Sequence, residues 1–186
     1  MKLTNTPLLI IITGPVGAGK STIGLELARS LRRPDFAVAV IDLDQMYGFV
    51  RQQEGYDDPA AWARARHGAA ALANCLFTTG MSAVIVEGEF FTAQELGMVT
   101  AAVEANVMRC FFTLKLSYER ALKRVQGDPS RGASKDSGFL KWLHESFAQA
   151  LPFLEAESVV VDTDELTQDQ VVARLAAQIS KYEHLR

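Results

Sequence analysis

Cysteine is scarce in this chain, with two residues, Cys75 and Cys110, in a sequence of 186. Both lie among apolar neighbours, and together they form neither a disulfide framework nor a metal ligand set. We therefore expect both thiols to be buried as small hydrophobic side chains, in a protein of the reducing cytoplasm.

Long apolar runs are absent as well. The uninterrupted runs are short, as at residues 8–12, whereas a membrane-spanning helix needs roughly 20 such residues. Lys2 and the apolar stretch after it have features of a secretion signal, but that stretch leads directly into a glycine-rich motif that cleavage would remove. We expect no signal peptide and no membrane partner.

An excess of positive charge is the third absence. The formal net charge is −3, and the basic residues are dispersed apart from one cluster at residues 120–135. Proteins dedicated to nucleic acids normally carry a basic face or stripe, so no nucleic-acid partner is expected. The sequence does not decide between a monomer and a homodimer.

What is present is an alternation of short apolar runs and longer amphipathic stretches, within one predicted domain over residues 1–186. The apolar runs predict strands buried on both faces of a sheet, over residues 8–13, 37–41, 83–87, 108–114 and 158–161. The amphipathic stretches predict helices over residues 20–32, 59–79, 92–105, 117–126, 138–154 and 167–182. This order predicts an α/β protein with a parallel sheet between helices, and ligands at the carboxyl ends of the strands.

A glycine-rich motif follows the first predicted strand and opens the first predicted helix. Residues 14–21 match G-x-x-x-x-G-K-[ST] at every position. Glycines let backbone N–H groups approach phosphate oxygens, and the helix adds its positive end. Lys20 is expected to act on the outer phosphates, and the Ser21 hydroxyl to bind Mg²⁺. The predicted cofactors are thus ATP and Mg²⁺, held by Gly14, Pro15, Val16, Gly17, Ala18, Gly19, Lys20, Ser21 and Thr22.

Acidic pairs follow the second and third predicted strands. Asp42 and Asp44 are two apart where a strand leaves the sheet, and are therefore predicted to face one crevice. Phosphoryl transfer to a hydroxyl needs a group that orients the hydroxyl and accepts its proton, and Asp44 is the catalytic candidate for that role. Asp42 and Glu87 are candidates for the magnesium shell, although each could instead simply end its strand. Glu89 is expected to face either a substrate or solvent.

Two polar, irregular stretches are predicted to be lids or binding loops. Residues 45–58 belong to a predicted acceptor-binding segment at about 45–70, and residues 127–137 are a predicted short lid. Arg120 and Arg124 precede the lid on one helix face, and Arg131 and Lys135 lie within it. A basic lid can neutralise charge on the transferring group and exclude water. The alternative is a solvated basic face.

Taken together, the phosphate motif, the acid pair, the arginine spacing and the end of the last strand resemble the small P-loop kinases over nearly the whole chain. The residues that carry the resemblance outside the phosphate motif are Asp42, Asp44, Arg120, Arg124, Asp162 and Thr163. This superfamily includes shikimate kinase, gluconate kinase, adenylyl-sulfate kinase, chloramphenicol phosphotransferase and the nucleoside monophosphate kinases. It implies a P-loop NTPase fold, a three-layer α/β/α sandwich whose five-stranded parallel sheet has the order 2-3-1-4-5.

The resemblance also implies roles for individual residues. Arg120 would stack near adenine, and Arg124 and Arg131 would reach the phosphates as catalytic groups. The loop at residues 162–165 would line the adenine pocket. This chain departs from shikimate kinase after the third strand, where residues 87–91 form an acidic and aromatic wall in place of a run of glycines. Such a wall suits an anionic carboxylate substrate poorly.

The expected activity is that of a kinase that transfers the γ-phosphoryl group of ATP to a hydroxyl of a small molecule, either a metabolite or an antibiotic. One alternative is a nucleoside or nucleotide kinase, since arginines in the acceptor segment could hold an acceptor phosphate. The other is an NTP-dependent switch or ATPase without an acceptor, which would leave the basic lid unexplained.

Overall fold

The computed structural model describes residues 6–129 and 132–184. Its strands are β1 (Leu8–Thr13), β2 (Val38–Asp42), β3 (Ala83–Glu87), β4 (Met108–Lys115) and β5 (Val159–Asp162). Its helices are α1 (Lys20–Leu31), α2 (Leu43–Val50), α3 (Pro59–Thr78), α4 (Ala93–Thr100), α5 (Tyr118–Gly127), α6 (Ser137–Glu157) and α7 (Gln168–His184), with a short 3₁₀ turn at Ala133–Lys135.

The described strands form a single parallel sheet in the order β2-β3-β1-β4-β5. This confirms the expected P-loop arrangement. The register aligns Glu87 with Ile12 of β1 and with Asp42 of β2. Since parallel strands end at one edge of the sheet, the phosphate loop after β1 and the acids after β2 and β3 lie at the same edge.

Helices cover both faces of the sheet, because successive side chains of the buried strands point in opposite directions. Alternate residues of β1, such as Ile10 and Ile12, pack against α1 and α7. The intervening Leu9 and Ile11 pack against α2, α3 and α4. Fully burying one such side chain stabilises the fold by about 2 kcal/mol. The three-layer α/β/α architecture is therefore confirmed.

Local sequence signals account for the helix ends. Thr92 and Glu95 form the expected capping box at α4, which ends at Thr100 and is shorter than the predicted helix 92–105. The second expected box is also formed before α7, because Thr167 accepts from Gln170 N–H while Gln170 accepts from Thr167 N–H. None of the helices within the described ranges is both long and apolar enough to cross a bilayer.

Two sequence expectations are wrong. The predicted irregular stretch 45–58 begins with helix α2, because the Asp42 carboxylate accepts hydrogen bonds from Asp44 N–H and Gln45 N–H and caps the helix. Cys75 is exposed rather than buried, since α3 turns this residue away from the sheet, whereas Cys110 in β4 is buried as expected.

Candidate nucleotide and acceptor site

The phosphate loop joins β1 to α1 and bends through three glycines. Gly14, Gly17 and Gly19 have φ angles of 151°, 86° and 89°, all in the positive range that favours glycine. Helix α1 begins directly after Gly19, and no side chain caps its first turn. Its N-terminal N–H groups and the positive end of its dipole are thus suited to bind phosphate.

Side chains from two other helices hold carbonyl groups of the loop. Arg124 of α5 donates to Gly17 O at 3.2 Å and to Thr163 O at 3.1 Å. His144 of α6 lies 3.1 Å through Nε2 from Val16 O, so the ring donates from Nε2 to this carbonyl. Burial lowers the pKa of His144, which favours the neutral ring. His144 was missed from the sequence, since no motif or spacing connects it to the loop.

A cavity of about 390 Å³ lies beside the loop, between α5 and the connection from β5 to α7. Its wall contains the loop residues Gly17 to Gly19 and the apolar side chains of Ile23, Val125, Leu166 and Val171. A cavity with both apolar and polar walls that opens onto a phosphate loop suits the base and sugar of a nucleotide.

The arginines and the last strand occupy different places around this cavity. Arg124 and Thr163 are part of its wall, whereas the Arg120 guanidinium forms an ion pair with Glu165 at 2.6 Å. Asp162 lies on the wall of a second cavity of about 400 Å³, between α5 and α6. The adenine and phosphate contacts of these residues stay predictions, and Arg131 lies outside the described residues.

The candidate metal groups meet beside the start of α1. The Ser21 hydroxyl lies close to the carboxyl group of Glu87, which is 3% exposed, and favours the charged form of this group. Burial, followed by the nearby Asp42 charge, raises the pKa of Glu87 to about 7, against the opposing effects of Ser21 and Lys20. Ser21, Asp42 and Glu87 are therefore close to one another, as their metal prediction requires.

These groups fit Mg²⁺ that is held mainly by phosphate and water. No group of three or more His, Cys, Asp or Glu side chains in residues 6–129 and 132–184 could hold a metal ion by itself. Magnesium typically takes one or two protein ligands and completes its shell with water and phosphate oxygens. A hydroxyl from Ser21 and water-mediated contacts to Asp42 or Glu87 suit that chemistry.

Asp44 lies in the first turn of α2, so the strand alternation used to place it beside Asp42 does not apply. It is nevertheless close to the other acids, because its charge raises the pKa of both Glu87 and Glu89. The predicted base thus lies at the start of a helix rather than on a strand. We call the group formed by Asp42, Asp44, Glu87 and Glu89 the acidic crevice.

Lys20 points back along the loop in this structure. Its ammonium group donates to Gly14 O at 2.9 Å and to Pro15 O at 3.3 Å. It also lies 3.9 Å from a carboxylate oxygen of Glu89. The residue is therefore positioned beside the place where phosphates would bind, and its charge is shared between the loop and the acidic wall.

Aromatic stacking organises the segment that is predicted to bind the acceptor. The Tyr47 ring stacks on Trp62 at 4.2 Å and on Tyr56 at 5.6 Å between centroids. Tyr47 donates to Gly55 O and Trp62 donates to Tyr56 O, which fixes the connection between α2 and α3. Arg66, also on α3, is buried, whereas His67 is exposed.

With this geometry established, comparison with known proteins places the chain in a family. A family model described as shikimate kinase matches residues 16–180. The chain belongs to the shikimate kinase family. A search of curated proteins gives no match.

Solved structures share the fold of this family member at low sequence identity. Shikimate kinase from Acinetobacter baumannii in complex with shikimate is 17% identical, with a TM-score of 0.66 and coverage of 96% of each chain. The tunicamycin resistance protein of Deinococcus radiodurans is 20% identical, with a TM-score of 0.61 and coverage of 93% of this chain and 95% of that one. A sugar kinase from Janibacter sp. HTCC2649 is 14% identical, with a TM-score of 0.68 and coverage of 94% and 95%.

The buried Glu87 of this shikimate kinase family member leads to a prediction on pH and stability. Because folding raises its pKa from 4.5 to about 7, the carboxyl group is tolerated when protonated, and its burial costs stability progressively as the pH rises through that interval. The full cost above about pH 7 is on the order of 3 kcal/mol. We expect Glu87→Gln to be more stable than the wild type at about pH 8, and the difference to shrink towards about pH 5.

Urea unfolding of both proteins without nucleotide or metal, at the two pH values, measures this difference. Glu104→Gln, on an exposed residue, is the control and should follow the wild type at both. Equal pH dependence of the wild type and Glu87→Gln would show that Glu87 is not the buried acid described here.

Proposed function

We propose that this shikimate kinase family member transfers the γ-phosphoryl group of ATP to a hydroxyl group of a small molecule. The observation that carries the proposal is the position of the phosphate loop, with Lys20 at its end, between a nucleotide-sized cavity and an acidic crevice. The sheet order puts the cavity on the β4 side of β1 and the acids on the β3 side. The nucleotide and the acceptor would therefore approach the loop from opposite sides.

In the proposed reaction, the oxygen of the acceptor hydroxyl forms a bond to the γ-phosphorus, and the bond from that phosphorus to the oxygen of the ADP leaving group breaks. Asp44 orients the hydroxyl and takes its proton. Lys20 stabilises the charge on the transferring group and on ADP. Mg²⁺, when bound near Ser21, would supply further neutralisation of the phosphate oxygens.

The proposal is tested by coupling ADP release to a panel of hydroxyl acceptors in the presence of MgATP. Sugars, sugar acids, shikimate, nucleosides, nucleotides and hydroxyl-bearing antibiotics cover the relevant classes. We expect one class to accelerate ADP release and to gain a phosphate, detected by mass. Rapid ATP hydrolysis that no acceptor accelerates would contradict the proposal and would favour an ATPase or a switch.

Asp44→Asn separates catalysis from binding. We expect ATP affinity to be retained and transfer to fall by about a hundredfold or more, because the amide has no basic site for the hydroxyl proton. Transfer rates are measured with the best acceptor, and ATP affinity by calorimetry. Asp35→Asn, on an exposed residue between α1 and β2, is the matched control. If Asp44→Asn keeps the wild-type rate, Asp44 is not the base.

A further inference from the structure

The charge of the acceptor can be inferred from the connection between β3 and α4, which lies beside the phosphate loop and contributes Glu89 to the acidic crevice. Glu89 in this connection is about one quarter exposed, with 27% of its side chain accessible, and lies 3.9 Å from the Lys20 ammonium group. Burial raises the pKa of Glu89, the Lys20 charge opposes this, and the nearby charge of Asp44 raises the pKa further. An acceptor whose hydroxyl reaches Asp44 would therefore also meet Glu89.

Arg66 is one arginine of the predicted acceptor segment that could bind a negatively charged acceptor, but its side chain is buried and already contacts protein groups. Its side chain is 7% exposed and forms an ion pair with Glu95 at 2.8 Å. The same guanidinium nitrogen donates to the backbone carbonyl of Glu89 at 2.9 Å. The guanidinium also lies 5.7 Å from the ring centroids of Trp62 and Phe90. Its charge is thus largely neutralised inside the protein.

The ion pair between Arg66 and Glu95 is held in place from the other side. The second carboxylate oxygen of Glu95 accepts from Phe91 N–H at 2.8 Å and from Thr92 N–H at 3.1 Å, as part of the α4 capping box. Glu95 is therefore fixed by the backbone and stays beside Arg66. Although Arg66 Nε has no hydrogen-bond partner among the described residues, the side chain is 7% exposed, so a carboxylate on the acceptor would have to displace protein groups to reach the guanidinium group.

Nucleotide binding changes the surroundings of Glu89. Lys20 is expected to turn towards the phosphates, and this movement takes away the cation with which Glu89 forms its ion pair. The Glu89 carboxyl group then lies beside the acids Asp44 and Glu95, and together these acids repel a further anion. It is suited to accept a hydrogen bond from a hydroxyl or an ammonium group.

Resting on the proposed function, we propose that the acceptor is a hydroxyl compound without a negative charge, and that Glu89 selects it by binding one of its hydroxyl or ammonium donors. Carboxylate acceptors are rejected by Glu89 and by the engagement of Arg66 with Glu95. Within the shikimate kinase family, this chain would thus act on a neutral or amine-bearing compound.

The experiment compares acceptors that share a scaffold and differ in charge. The first series is glucose, glucosamine and glucuronate. The second series contains neutral, amine-bearing and carboxylate cyclic polyols, and its carboxylates include shikimate. The kcat/KM for ADP release is measured for each member. We expect neutral and amine-bearing members to exceed the carboxylates by at least about tenfold, since a negative charge placed beside this group of acids is repelled. A carboxylate used as well as its neutral counterpart would overturn the proposal.

Two variants test the assigned residues. Glu89→Gln should lower the preference for amine over carboxylate acceptors by about fivefold or more, because it removes the selecting charge. Glu95→Gln keeps the acceptor atom of the capping box but removes the charge that engages Arg66, and should raise kcat/KM for carboxylates relative to neutral acceptors. Glu104→Gln should leave every ratio unchanged. Unchanged ratios in both Glu89→Gln and Glu95→Gln would also overturn the proposal.

Failure of the underlying function has a different signature. In that case ATP binds, water hydrolyses it rapidly, and none of the acceptors accelerates ADP release or gains a phosphate. If only the charge selection fails, phosphoryl transfer is still observed, and carboxylate acceptors are phosphorylated as well as neutral ones. The two results are therefore distinguished by the phosphorylated product.

Discussion

Lys20→Met is expected to lower kcat by about a thousandfold or more while the fold is retained, because a group that stabilises charge on a transferring phosphoryl has effects of this size. Methionine matches the length of the lysine stem but carries no charge. The Lys20 ammonium is the cation closest to the phosphate site in the described loop, and its contacts in the present structure are to Gly14 O, Pro15 O and Glu89. ATP affinity should fall far less than kcat, because the backbone N–H groups of the loop still bind phosphate.

Lys141→Met, on an exposed lysine of α6, is the matched control and should keep full activity. Steady-state kinetics with the best acceptor give kcat, and calorimetry gives ATP affinity. A kcat within about tenfold of the wild type would mean that Lys20 does not act on the transferring group. Thermal unfolding of each variant verifies that any loss is not a loss of fold.

Gly14→Ala is expected to destabilise the protein by about 3 kcal/mol or more and to abolish ATP binding. A Cβ atom at Gly14 would lie 2.3 Å from the backbone carbonyl oxygen of Leu114 in β4. That oxygen belongs to the sheet and cannot rotate away, so the first residue of the phosphate loop or the end of β4 must move. Either movement changes the positions of the N–H groups that bind phosphate.

Gly97→Ala provides the contrast within the same protein. Gly97 lies inside α4, and a Cβ atom there has no heavy atom within 4 Å. It should raise the unfolding free energy by up to about 1 kcal/mol, because alanine favours a helix over glycine. Urea unfolding at 25 °C gives both free energies. If Gly14→Ala has the stability and ATP affinity of the wild type, the close contact with Leu114 does not constrain the loop.

Sequence reasoning succeeded where the determinants are local. Apolar runs predicted the strands, and the glycine motif predicted the turn into α1, because both depend on residues adjacent in the chain. The family resemblance supplied the strand order, which the structure confirms. The position of Asp44 was harder to predict from the sequence. Asp42 is the last residue of β2, and its side chain caps the helix α2 that follows immediately, but a strand pattern contains no sign of that change.

Contacts between distant residues were not predictable from one sequence. His144 and Val16 are far apart in the chain, and their contact depends on the packing of α6 beside the phosphate loop. The ion pairs of Arg66 with Glu95 and of Arg120 with Glu165 have the same origin. Which of several nearby charges forms an ion pair depends on the positions of the helices to within a few ångströms. The pattern of charges along the sequence does not contain this information.

The central position of β1 also constrains how the chain can fold during synthesis. Its two neighbours are β3 and β4, which begin at Ala83 and Met108. On a ribosome, β1 emerges early with both edges unpaired and apolar, and such edges are prone to aggregate. The first edge of β1 can pair only when β3 has emerged, and the second edge only when β4 has emerged. We therefore expect the nascent chain to need protection, for instance by a chaperone, until β4 has been made.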